Sequence, residues 1–303
     1  MASKFRPRLF RNLGIGVGIF VVTMFMVDGC VQFRDTTTDL QRYFSDRKLK
    51  PEIGFYRSQG RQVRYLAIGS DTSAAILFIH GAPSSMSYFK VYLSDSLLLR
   101  RAKMYAVDRL GYGYSGFGKP VVSIERQARA IKPILDSLNR AHHPVVVVGT
   151  SYGTSVACRL AMDYPQLIDG LVLVAPALAP GQERIYGISY PMEWAALKWL
   201  VPRMLVSANA EKLSHRAELQ KMMPYWPRIQ VPVSYIQGAD DDLVYTTNAP
   251  FAKRKLVNAP SLDFIMIANR GHLIAFSEIQ TIKGSILRML DKVQQRHAGL
   301  ARK

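Results

Sequence analysis

Three groups in this chain have the side-chain types needed for covalent catalysis. They are a serine between glycines, Gly149-Thr150-Ser151-Tyr152-Gly153, then the aspartates at 240–242, then the histidine of Asn269-Arg270-Gly271-His272. A serine hydroxyl is a weak nucleophile until a base takes its proton, and an imidazole held in one tautomer by a carboxylate is such a base. The chemistry of such a set is acyl transfer. The five-residue string alone is a weak signal, but its placement strengthens it. It directly follows the valine run Val145–Val148 and directly precedes a helical pattern from Tyr152 to Tyr164. A sharp strand-to-helix turn keeps the hydroxyl exposed, requires small residues at Gly149 and Gly153, and aims the first helical N–H groups at a developing oxyanion.

The elements that must hold these residues can be read from periodicity. Phe55-Tyr56 and Val63–Ile68 flank Ser58-Gln59-Gly60-Arg61 as a hairpin. Continuous apolar runs at Ala75–Ile79, Met104–Val107, Val145–Val148, Leu171–Val174, Val231–Ile236 and Phe264–Ile267 suit strands buried on both faces. Helical spacing marks Ser85–Leu99, Ser123–Asn139 and Ser277 to about Gln295. Strand–helix alternation implies a mostly parallel sheet covered by helices. The alternation breaks once, between Pro176 and Val231. There Tyr186, Tyr190, Trp194, Trp199, Tyr225 and Trp226 lie among Pro180, Pro191, Pro202, Pro224 and Pro227, as in short helices of an inserted cap.

On these motifs the chain resembles the α/β-hydrolase superfamily over roughly residues 53 to 295. The resemblance implies an α/β fold with a mostly parallel eight-stranded sheet flanked by helices and a helical cap insertion. Its expected division is 1–29 as signal peptide or membrane anchor, 30–52 as a leading linker or helix, 53–178 and 230–296 as core, and 179–229 as cap. His80-Gly81-Ala82-Pro83 matches the family's oxyanion loop, so that the backbone N–H groups of Ala82 and Tyr152 would be the oxyanion donors, with His80 organising the loop. Asp108-Arg109-Leu110-Gly111-Tyr112-Gly113-Tyr114-Ser115 resembles a structural turn of the family. Gln237-Gly238-Ala239-Asp240-Asp241-Asp242-Leu243-Val244 matches its acid motif and selects Asp241, leaving Asp240 and Asp242 as a solvated loop or helix cap. His272 would be the base. His142, His143, His215 and His297 fall before a strand, in the cap or in the tail. Dehalogenases and most epoxide hydrolases of this fold carry aspartate where Ser151 stands, which argues against epoxide opening.

The formal charge of +18 fits either a nucleic acid or an anionic membrane. The basic residues are scattered, and no nucleic-acid-binding signature accompanies them, so a membrane surface is the expected partner and nucleic acid is not. Lys4, Arg6, Arg8 and Arg11 precede an apolar run from Leu13 to Val27, short for a membrane span and suited to a secretory signal. Val27-Asp28-Gly29-Cys30 resembles a bacterial lipoprotein cleavage box, which would make Cys30 a lipidated first residue. An uncleaved signal anchor is the alternative. Either form places the enzyme outside the cytoplasm on a membrane, and a cytoplasmic enzyme with a buried amino-terminal helix is the third reading. Cys158, among Val156, Ala157 and Leu160, reads as a small buried hydrophobe.

The resulting expectation is a serine hydrolase acting on a carboxylic ester, with a small-molecule or lipid-like substrate, no metal, no organic cofactor and no defined protein partner. An aminopeptidase or carbon–carbon hydrolase on the same triad, and a catalytically silent binding protein, remain open at this point.

Overall fold

In a computed structural model the described residues are 15, 16, 18, 22–24, 26–29, 31–70, 74–140 and 143–300. Cys30 and most of the positively charged amino terminus lie outside them. The strands are β1 (Glu52–Ser58), β2 (Arg61–Ile68), β3 (Ala75–Ile79), β4 (Lys103–Val107), β5 (Val145–Thr150), β6 (Gly170–Val174), β7 (Val233–Gly238) and β8 (Leu262–Ile267). They form one sheet in the order β1-β2-β4-β3-β5-β6-β7-β8. The β1–β2 and β2–β4 pairs are antiparallel and all pairs from β4 onward are parallel.

The helices are α1 (Thr37–Ser45), α2 (Lys90–Leu93), α3 (Ser96–Arg101), α4 (Ile124–Arg140), α5 (Tyr152–Asp163), α6 (Ala195–Lys198), α7 (Arg203–Met222), α8 (Asn248–Lys255), α9 (Ile274–Ser277) and α10 (Ile279–Leu300). The valines of β5 show how the layers are built. Val145 and Val147 enter a core with Ile131, Leu135, Val156 and Leu160 of α4 and α5. Val146 and Val148 enter the opposite core with Leu40 and Phe44 of α1 and Ile282, Ile286 and Leu290 of α10. Side chains alternate along a strand, so four consecutive valines supply both cores at once. Cys158 is fully buried in the first of them.

Three boundaries differ from the sequence pattern. The helix expected over Ser85–Leu99 is broken, because Asp95 accepts the backbone N–H groups of Leu97 (2.9 Å) and Leu98 (3.1 Å) and starts α3 afresh. β7 begins at Val233, after Pro232, which has no N–H to give a ladder. The last helix begins at Ile279 after the separate turn α9. No helix among the described residues is long and apolar enough to cross a membrane.

Residues 179–229 run as short 3-10 turns, α6 and the 20-residue α7. The face of α7 bearing Ser207, Glu211 and Glu218 is tied to the sheet layer. Ser207 donates to the Gly111 carbonyl (2.9 Å), Glu211 binds Arg109, and Glu218 accepts the Ile124 N–H (3.0 Å). The face bearing Leu205, Ala208, Asn209 and Lys212 lines a cleft over the carboxyl ends of the strands.

Candidate active site

Ser151 leaves β5 at φ 49°, ψ −125°, a conformation that non-glycine residues rarely occupy, and α5 starts at the next residue. The crowding around it explains the flanking glycines. A Cβ on Gly153 would come within 2.3 Å of the Ile79 carbonyl oxygen, and one on Gly149 within 2.7 Å of the Gly153 carbonyl oxygen. The elbow therefore packs backbone against backbone, with the end of β3 pressed onto the first turn of α5. Gly81 is placed under the same pressure, 2.9 Å from the Ser151 Cβ if it carried a Cβ of its own.

The loops after β7 and β8 complete the set. His272 Nε2 lies 2.9 Å from Ser151 Oγ, and His272 Nδ1 lies 2.8 Å from Asp241 Oδ2. Asp241 is buried, and its other oxygen accepts the N–H groups of Leu243 (3.1 Å) and Val244 (2.9 Å), which fixes the carboxylate plane. An Nδ1–H donated to Asp241 leaves Nε2 as the acceptor facing Ser151, the tautomer a general base needs. Asp240 and Asp242 are exposed, and Asp242 pairs with Arg184 at 2.9 Å.

The predicted oxyanion residues Ala82 and Tyr152 line the same cleft as Ser151 and His272. Their support is more elaborate than the sequence suggests. His80 is fully buried. It donates from Nδ1 to the Gly81 carbonyl (2.7 Å) and accepts the Arg109 backbone N–H at Nε2 (3.0 Å). Burial, and then the neighbouring Arg109, push its imidazole well below the usual histidine range, so it remains neutral. The Arg109 guanidinium donates to the carbonyls of His80 (2.8 Å) and Gly81 (3.0 Å) and forms a forked pair with Glu211 at 2.7 and 3.0 Å. Tyr112 (2.6 Å) and Gln127 (3.1 Å) also donate to Glu211. Burial alone would pull Arg109 down, but the Glu211 carboxylate outweighs it and holds the guanidinium above its ordinary range. The ring of Tyr152 is held between this guanidinium, 4.7 Å away, and the His215 imidazole, 4.6 Å away.

The Asp108 turn lies beneath this assembly. Asp108 is fully buried and accepts the N–H groups of Met86 and Tyr114, each at 2.8 Å. Gly113, at φ 51°, stands where any Cβ would overlap the Asp108 carboxylate.

Two cavities meet at Ser151. The larger, about 300 Å³, opens under residues 179–229 and is lined mainly by apolar groups, among them Tyr186, Ile188, Met192, Leu205 and Val244. The smaller, about 180 Å³, lies on the other side of the serine, between Tyr88, Val174, Leu273 and Ala275. Ala82, Pro83, Ser151, Leu243 and His272 border both. Among the described residues no group of three or more histidine, cysteine, aspartate or glutamate side chains could hold a metal ion.

A family model described as Alpha/beta hydrolase family matches residues 76–280. Lipase LipV of Mycobacterium tuberculosis (strain ATCC 25618 / H37Rv) is 29% identical over 187 residues, which cover 61% of this chain and 64% of that protein. Epoxide hydrolase 1 of Caenorhabditis elegans is 27% identical over 160 residues, covering 50% of this chain and 39% of that protein. The chain thus spans less than two thirds of the length of these curated relatives. The crystal structure of a membrane phospholipase A, described as a bacterial virulence factor, superposes with a TM-score of 0.65 over 97% of this chain and 99% of that one. At 16% identity that likeness is one of fold.

Proposed function

The chain belongs to the alpha/beta hydrolase family, and within it we propose a membrane-associated serine hydrolase that cleaves a carboxylic ester through an acyl-enzyme. The observation that carries this reading is the unbroken relay from Ser151 Oγ through His272 to Asp241, at 2.9 and 2.8 Å. His272 Nε2 takes the Ser151 proton as Oγ adds to the acyl carbon. The Ala82 and Tyr152 N–H groups receive the oxyanion, and collapse expels the alcohol, which takes its proton from His272. Water, deprotonated by the same imidazole, then releases the acid. The two cavities flanking Ser151 would take the two substituents of the scissile carbonyl. Lipase LipV is in keeping with an ester substrate, and serine at 151 argues against an epoxide.

A fluorophosphonate probe tests the reading. It should label the wild-type protein and leave Ser151→Ala unlabelled. Equal labelling of the two overturns the assignment, and absence of labelling in both favours a binding protein. A series of esters of increasing chain length then separates an esterase from an aminopeptidase or a carbon–carbon hydrolase.

Attachment to a membrane outside the cytoplasm would run through the amino-terminal segment, by lipid on Cys30 or by an uncleaved anchor. One contact favours the anchor. Asp28 accepts three bonds from Arg203 at 2.7–2.9 Å, and cleavage before Cys30 would discard them. Mass spectrometry of the mature amino terminus decides, since an end at Met1 or Ala2 excludes the lipoprotein and an acylated Cys30 excludes the anchor.

A further inference from the structure

Residues 179–229 leave one charge in the cleft without an ion partner. Lys212 sits on the cleft face of α7, one turn from Ala208 and Asn209, and is the only lysine or arginine lining the cavity among the described residues. It is half-buried, its ammonium lies 5.1 Å from the Tyr186 ring centroid, and no carboxylate among the described residues approaches within salt-bridge distance. Among the described residues the one carboxylate lining the cavity is Glu183, and it is held elsewhere. Its Oε1 lies 2.7 Å from His215 Nδ1.

His215 is held at both ring nitrogens, with Nε2 3.0 Å from Ser155 Oγ, which itself donates to the Ala177 carbonyl. Glu183 is thus tied to His215 and makes no ion pair with Lys212, whose ammonium faces a mostly apolar cleft with no carboxylate at bonding distance among the described residues. A half-buried ammonium costs stability unless an anion meets it, and burial indeed pulls Lys212 below the ordinary lysine range, with Glu183 acting the other way.

We propose that Lys212 forms an anion subsite in the acyl-transfer cleft, so that the substrate is an amphiphilic ester carrying a phosphate or carboxylate group. This rests on the ester-hydrolase reading, and it names the substrate class for that site. The apolar lining would receive the hydrocarbon part while Lys212 meets the charge, as a point-charge donor suited to either oxyanion. Lys212 acts on selectivity and takes no part in the proton relay.

The test is binding to the full chain, read by thermal shift and calorimetry, with decyl phosphate, decanoate, decanol and inorganic phosphate as probes. Lys212→Met keeps the stem and removes the charge. It should weaken decyl phosphate and decanoate about tenfold, the equivalent of about 1.4 kcal/mol, while the affinity for decanol changes less than twofold. Lys212→Arg should restore most of the loss. A parallel loss for all the decyl probes, or no loss for any, overturns the subsite. Inorganic phosphate binding as tightly as decyl phosphate would also overturn the substrate assignment, because the site would then hold a free anion. None of these measurements needs turnover, so failure of the hydrolase reading shows separately as absence of fluorophosphonate labelling.

Discussion

Asp240, Asp241 and Asp242 are adjacent and chemically alike, and their surroundings alone separate them. Asp241 is turned inward, takes two backbone N–H groups on one oxygen and His272 on the other, while its neighbours face solvent. This gives a sharp prediction. Asp241→Asn presents an amide N–H to His272, which selects the tautomer with hydrogen on Nε2 and removes the acceptor for the Ser151 proton. Its kcat on a soluble ester should fall about 1,000- to 10,000-fold with little change in KM, and the near-ultraviolet circular dichroism should be preserved. Asp242→Asn loses only an exposed pair with Arg184, of the kind that contributes at most about 1 kcal/mol, and should keep kcat within twofold. A comparable fall in the two variants would contradict the assignment of the acid. In the sequence only the family's acid motif, counted from Gly238, singles out Asp241 from its two neighbours.

At the scale of elements, much of the architecture was readable because strands buried on both faces announce themselves as apolar runs. The antiparallel hairpin and the parallel strands follow from local pattern, whereas the order serine, acid, histidine comes from the family resemblance. Contacts between residues distant in the chain were not readable. Arg109 is part of a motif near β4 and Glu211 lies on α7, 102 residues later, and no periodicity relates them. His215, read simply as a histidine of residues 179–229, is fully buried against Ser155 and Glu183. The Arg109–Glu211 pair makes a testable link between α7 and the oxyanion loop. Glu211→Gln leaves a fully buried guanidinium uncompensated and should cost about 3–5 kcal/mol, measured by urea unfolding. Replacing both partners, with Arg109→Met and Glu211→Leu, removes the stranded charge and should recover most of that stability. The carbonyls of His80 and Gly81 would still lack their donor, so kcat should remain low. Recovery of kcat together with stability would show that the pair only packs α7 onto the core.

At the scale of the whole molecule, an exposed aromatic stretch borders the cleft and lies close in sequence to the residue that holds Asp28. Between β6 and α7, Ile185, Tyr186, Ile188, Tyr190, Trp194, Leu197 and Trp199 are exposed, Trp194 and Trp199 at 62% and 64%. Tryptophan and tyrosine are suited to the boundary between headgroups and hydrocarbon, where one end of the ring is apolar and the other wet. Arg203, four residues beyond Trp199, is the residue that grips Asp28 at the end of the amino-terminal segment. If that segment enters a bilayer, this joint brings the exposed aromatic stretch to the same surface, and the cleft bordered by Tyr186 and Ile188 opens toward lipid. The chain has three tryptophans, and Trp226 is buried at 1% exposure, so a shift of emission on adding vesicles reports on Trp194 and Trp199. Vesicles containing phosphatidylglycerol should move the emission of the full chain to shorter wavelength, more at low salt than at high salt because the +18 charge adds attraction to an anionic surface. Replacing both exposed tryptophans by serine should abolish the shift and lower turnover of a bilayer-embedded ester about tenfold relative to a soluble one, the loss of about 1.4 kcal/mol of interfacial binding. An unchanged ratio of the two rates would mean that the aromatic stretch faces water.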